Sequence, residues 1–226
     1  THCISSAASD VYKRQTHVRP ERLMKTLFTD EAYVKANVDE ARLMRRLFDL
    51  ACNMQSHDTD MQLYSLFTDE ECYDLWSCNN LYWYLTHACS PVTDGLMPYR
   101  EADLLRNILD RADAALKEGK NQATLRFGHE SCLLPLVALL ELNHYGESYP
   151  DVEKLSEQWR AYDIFPMASN VQFVFFHKKG SNDVLVKVLL NEKEAKLPVK
   201  TDVAPYYHWK DVESYYREKL DKYQHI

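Results

Sequence analysis

The residues best placed by type to do chemistry are His129 and Glu130, inside the run Arg126-Phe127-Gly128-His129-Glu130-Ser131-Cys132. An imidazole donates hydrogen bonds to an anion and a carboxyl carries a proton, and together they suit proton transfer to or from an oxygen. The alternation of Ala123, Leu125 and Phe127 predicts a strand over 122–127, and the apolar run from Cys132 to Leu142 predicts a buried helix with Pro135 in its first turn. A strand handing over to a helix in a short turn puts the pair at a helix amino terminus. Unpaired N–H groups and about half a positive charge there favour an anion such as phosphate. The plainer reading of the same turn is that Ser131 or Glu130 caps the helix and His129 bonds to backbone.

Other groups are weaker candidates. His57, Asp58 and Asp60 could serve as ligands in a metal-dependent HD-type phosphohydrolase, but such a site needs more His and Asp, and His87 and Asp74 fall at no recognisable spacing. The plain alternative is a polar loop between helices, with Ser56 or Asp58 as a cap. Arg42, Arg45 and Arg46 could meet a polyphosphate, or simply form a solvated face beside Glu40 and Asp49. Tyr82, Trp83 and Tyr84 are consecutive on a helix and point in different directions, which favours packing over base stacking. The cysteines at 3, 52, 72, 78, 89 and 132 include no CxxC pair, which argues against a structural zinc site and leaves thiols and disulfides both open.

These residues need elements to hold them. Of 226 residues, 46% are apolar, and 27 Lys+Arg against 34 Asp+Glu give a net charge of −7, the profile of a globular chain with a core and no nucleic-acid groove. No stretch approaches the ~20 apolar residues of a membrane span. Residues 20–85 read as helical, with Leu43, Leu47, Leu50 and Met54 on one stripe, Met44, Phe48 and Ala51 alongside, and Thr68 with Glu71 as a capping box. The string Leu-Phe-Thr-Asp-Glu at 27–31 and 66–70 marks two helix starts. After a loop at 88–97, Pro98 opens a helix with the stripe Ala102, Leu105, Leu109, Ala112 and Leu116, closed by Gly119. Further expectations are a helix over 152–161, a hairpin of 170–177 with 184–190, a short strand at 197–199 and a helix over 206–223. Residues 3–15 share no periodicity with the rest of the chain and resemble an adaptor-derived peptide. The expected organisation is therefore a non-native leader at 1–15, a helical subdomain at 16–97 and an α/β sheet part at 98–226.

The segment 126–136 resembles the carboxyl-terminal catalytic motif of the histidine acid phosphatases, which include phytases and multiple inositol-polyphosphate phosphatases. Segments 98–105, 164–173 and 186–192 are also similar to bacterial gut-type members, and 20–85 resembles their α-domain. The resemblance runs from Arg19 to the end. It implies an α/β fold: a helical cap plus the carboxyl-terminal part of a phosphoglycerate-mutase-like sheet domain. It also implies phosphomonoester hydrolysis through a phosphohistidine, with inositol phosphates as leading substrate, no metal or organic cofactor, and a secreted or periplasmic setting. His129 matches the phosphate contact of the His-acid pair and Glu130 its proton donor, although in His-Ala-Glu members the acid stands where this chain has Ser131. The family's Arg-His-Gly-x-Arg-x-Pro nucleophile loop is absent, since none of the nine histidines is preceded by Arg or followed by Gly. The expectation is a carboxyl-terminal half that is inactive alone. The alternatives are a stand-alone helical interaction module, or the metal-dependent enzyme using His57 and Asp58.

Overall fold

The computed structural model describes residue 8 and residues 12–119 and 122–223. Most of the 1–15 leader and Cys3 lie outside the described residues. The chain forms two compact units, Thr1–Tyr82 and Trp83–Ile226.

In the first unit the caps are written in the sequence. Helix α1 (Glu21–Leu27) is followed by α2 (Glu31–Asn37) and α3 (Glu40–Asn53), the latter two opened by Asp30 and Asp39, whose carboxylates accept from Tyr33 N and Arg42 N. Helix α4 (Asp69–His87) opens with the capping box: Glu71 N donates to Thr68 Oγ1 at 3.2 Å and Thr68 N donates to Glu71 Oε2 at 2.9 Å. Both Leu-Phe-Thr-Asp-Glu strings thus precede helices, with the cap at Asp30 in one and Thr68 in the other. Leu23, Met24, Val34, Met44, Ala51, Phe67 and Leu75 form the core, and each large side chain buried there contributes roughly 1.5–3 kcal/mol. Within the expected α3 stripe, the flanking residues are the deepest. Met44 and Ala51 are buried, whereas Leu50 is 52% exposed, because two turns separate the residues that face the core. Arg22 reaches across to Glu71, with Nε to Oε1 at 2.8 Å and Nη2 to Oε2 at 2.6 Å.

The second unit contains the 122–142 segment. A 3-10 turn, Met97–Glu101, runs into α5 (Ala102–Glu118), and Gly119 closes it at φ +64°, a conformation that favours glycine. Helix α6 (Glu130–Leu139) begins two residues before its apolar run, so Pro135 stands in its second turn, not its first. From Leu134 to Leu140 every residue is buried. Its carboxyl end is held by the last helix, α9 (Trp209–Tyr223): Tyr216 OH donates to Leu140 O and Lys219 Nζ to Leu139 O, both at 2.7 Å. The expected 152–161 helix is two short helices, α7 (Leu155–Gln158) and α8 (Ala161–Ile164), because Trp159 adopts an extended backbone and is buried.

Strands β1 (Val171–His177) and β2 (Val184–Leu190) form the expected antiparallel hairpin, in register from Val171 opposite Leu190 to His177 opposite Val184. The far side of β2 takes two short strands, β3 (Lys193–Glu194) and β4 (Tyr207–His208). The third strand therefore lies at 193–194 and not at 197–199. Leu197 N bonds instead to the Tyr207 hydroxyl, which takes the donor a ladder would need. The last helix starts at Trp209 because 207–208 are used in the sheet. Helices with a small antiparallel sheet agree with the expected α/β class.

The strand expected over 122–127 is absent. Residues 122–128 make no backbone hydrogen bond among the described residues, and Leu125 and Phe127 are 75% and 94% exposed. Alternation sets which side chains share a face, but a strand exists only with a ladder partner, and none lies beside this segment among the described residues. Two side chains tether it to α5: Gln122 Nε2 to Ala115 O at 3.2 Å, and Arg126 Nη2 to Asn107 Oδ1 at 2.8 Å.

Candidate active site

His129 is the residue at the amino-terminal boundary of α6, with φ −114° and ψ 165°, and its carbonyl accepts from both Cys132 N and Leu133 N at 3.0 Å. Its side chain does not cap the helix. Glu130 and Ser131 follow as the first helical residues, and their backbone N–H groups find no acceptor among the described residues. His129 and Glu130 are exposed while the helix beyond Leu133 is buried. The buried part fixes the axis, and the pair projects from its end with side chains unengaged by hydrogen bonds among the described residues.

The 3-10 turn before α5 brings more charge to this end. Burial is the main reason the Glu101 carboxylate's affinity for a proton is raised, and the nearby Arg100 cation and Cys132 thiol act against that rise. His87, at the end of α4, is buried. Its Nδ1 lies 2.7 Å from Thr86 Oγ1, and its ring lies 4.7 Å from that of Trp83. Burial, then the neighbouring Arg100 cation, holds its pKa below the usual imidazole value, while Glu130 acts against that shift. Arg100 and Glu130 are thus both within electrostatic reach of one imidazole. The sequence assigns no role to Arg100 and offers His87 only as a metal ligand, since each lies tens of residues from the pair along the chain. Only the Pro98-Tyr99-Arg100-Glu101 segment, through its resemblance, carries any signal.

The other candidates do not assemble. His57, Asp58 and Asp60 lie exposed in an irregular segment, Asp74 faces His17 at 3.4 Å, and no three metal-ligating side chains converge among the described residues. Arg42, Arg45 and Arg46 are exposed, with Arg46 3.6 Å from Asp49. Cys52, Cys72, Cys78, Cys89 and Cys132 are free thiols.

The model of the histidine phosphatase superfamily (branch 2) matches residues 6–191. The chain belongs to that family. Human multiple inositol polyphosphate phosphatase 1 is 28% identical over 134 residues, which is 54% of this chain and 27% of the human protein. The crystal structure of Bifidobacterium longum multiple inositol polyphosphate phosphatase with phosphate superposes with a TM-score of 0.67 at 21% identity, covering 80% of this chain and 40% of that one. The complex of the same enzyme with inositol hexasulfate gives a TM-score of 0.61 at 22% identity, covering 78% and 38%. These likenesses establish a histidine-phosphatase fold. The chain spans well under half the length of either relative.

Proposed function

We propose that this chain is the carboxyl-terminal part of a histidine acid phosphatase that hydrolyses phosphomonoesters, with inositol phosphates as substrate, and that residues 16–97 serve as its helical cap and 98–226 as its share of the sheet domain. The observation that carries the reading is the unengaged His129–Glu130 pair at the open amino end of a helix whose remainder is buried. In the proposed reaction, a histidine from an Arg-His-Gly segment outside this sequence attacks phosphorus. His129 and the free N–H groups of α6 hold the phosphoryl oxygens as negative charge shifts, and Glu130 protonates the leaving alcohol. Water then cleaves the phosphohistidine, with Glu130 taking the proton. A secreted or periplasmic location fits the family resemblance. The interaction-module and metal-dependent readings gain no comparable arrangement.

The test joins this chain to an amino-terminal half carrying Arg-His-Gly and measures single-turnover phosphoryl transfer. The chain alone is expected to be inactive on phytate and on an aryl phosphate. In the restored enzyme, Glu130→Gln should slow transfer from an inositol phosphate by about 10²–10⁴-fold and from an aryl phosphate far less, because the aryl leaving group needs little protonation. Turnover by the chain alone refutes the missing-nucleophile part. Equal losses on both substrates, or an effect confined to Ser131→Ala, refute Glu130 as the acid.

A further inference from the structure

The sheet of the second unit carries an ion cluster apart from the candidate active site. His208, in β4, has Nδ1 at 3.0 Å from both carboxylate oxygens of Asp183 and Nε2 at 3.0 Å from Asp202 Oδ1. Asp183 ends the turn between β1 and β2, and Asp202 lies in the loop that leads to β4. A neutral imidazole has one N–H and one lone pair, so it can satisfy only one of these carboxylates. With a carboxylate at each nitrogen, the ring is an imidazolium donating both ways. We propose that His208 is a proton-held clamp: protonated, it ties the β1–β2 turn to the loop before β4, and deprotonation releases one of the two ties.

The surroundings support a device built around this one proton. On β2, the residue opposite His208 is the uncharged Leu185, and Lys187 is engaged with Glu194 at 3.2 Å. On β1, His177 Nε2 donates to Ser181 O at 2.7 Å, and Asp183 N donates to Ser181 Oγ at 3.0 Å, so the turn presenting Asp183 is itself ordered. In the loop, Thr201 Oγ1 donates to Tyr206 O at 2.7 Å and accepts from Val203 N at 3.2 Å, which bends the chain around Asp202. Lys178 and Lys179 on the turn, Lys196 and Lys200 on the loop, and Lys210 and Asp211 on the first turn of α9 are the remaining charged groups on these elements.

The two aspartates raise the proton affinity of His208, and His208 lowers that of Asp202. The signs then define a window. A raised imidazole contributes stability that is full below its ordinary value of 6.5 and is lost as pH rises through its raised value. A depressed carboxylate contributes above its ordinary 3.8 and is lost as pH falls through its lowered value. The clamp is closed across the mildly acidic range and opens on either side. Because β4 runs directly into α9, the opening acts on the start of the helix that seats the carboxyl end of α6.

Amide hydrogen exchange on the whole chain from pH 5.5 to 9, corrected for intrinsic exchange, tests this. In the unmodified protein, opening over 203–209 should rise by up to about tenfold for each unit between the ordinary and raised imidazole values, the linkage limit for one proton. His208→Gln should abolish that dependence, and imidazole titration by NMR should place His208 above 6.5 and move it down in Asp183→Asn with Asp202→Asn. Should His208→Gln fail to fold, Asp202→Asn, with a side chain 84% exposed, carries the same test with a smaller rise. The same pH profile in the parent and the variants, or a His208 titrating at or below 6.5, overturns the proposal.

Discussion

Removing one oxygen atom tests how α6 is held. Tyr216 is fully buried, and its hydroxyl donates to the Leu140 carbonyl at 2.7 Å, just past the last turn of α6. Tyr216→Phe keeps the ring and its edge contact with Tyr215, whose ring centre is 5.2 Å away, so it opens almost no cavity. It leaves the Leu140 carbonyl buried without that donor. An unsatisfied buried acceptor costs about 1–3 kcal/mol. For a chain of this size, about 2–4 °C of melting temperature accompanies each kcal/mol, so the transition of the Trp83–Ile226 unit should fall by roughly 2–12 °C. Urea unfolding followed by far-UV circular dichroism should show a lower midpoint with an unchanged slope, since the surface exposed on unfolding is the same. A loss below about 0.5 kcal/mol would mean that the carbonyl finds water or another donor, and the argument that α9 fixes α6 through this bond would fail.

The first unit offers two further tests. Met44→Ala, at a side chain 1% exposed, should cost about 2–5 kcal/mol in denaturant unfolding of that unit, and a cost under 1 kcal/mol would show that α3 does not turn this residue into the core. Glu71 is held below the usual carboxylate value chiefly by Arg22. Its contribution to stability is therefore present above its ordinary 4.5 and lost as pH falls through the lowered value, so Arg22→Gln should flatten the acid limb of the stability profile. An acid limb that is the same in both proteins would assign the loss to other carboxylates.

Local rules proved readable where one or two neighbouring residues settle the conformation. Thr68 with Glu71, Gly119, and the β1–β2 hairpin are of this kind, because a cap, a left-handed closure and a turn each carry their own chemistry. Readings failed where distant partners decide. The alternation at 122–127 describes a strand, but pairing is a property of two segments. Trp159 sits in a sequence with helical periodicity, yet burial of its side chain extends the backbone and divides the helix. In the candidate site, His129 and Glu130 were legible because they adjoin each other and the helix they begin. Arg100, Glu101 and His87 were not, since only the packing of the 97–101 turn and the end of α4 brings their charges to that end of α6.

The bare segment at 122–128 also affects how long the chain survives intact. Proteases bind their substrates as backbone free of internal hydrogen bonds, and exposed, unladdered stretches are where nicks concentrate. Here that stretch carries Arg126, a trypsin-type cleavage residue, three positions before His129. A cut after Arg126 would sever the covalent path from α5 to the His129–Glu130 pair while leaving the buried body of α6 in place. The nicked protein would keep its circular dichroism and melt much like the intact one, yet its two exposed site residues would stand beside a new charged amino terminus at Phe127, cut off from the tether that Arg126 makes to Asn107. Homogeneity on a denaturing gel, more than a folded spectrum, is therefore the criterion that tells whether a sample still presents the pair as the intact chain does.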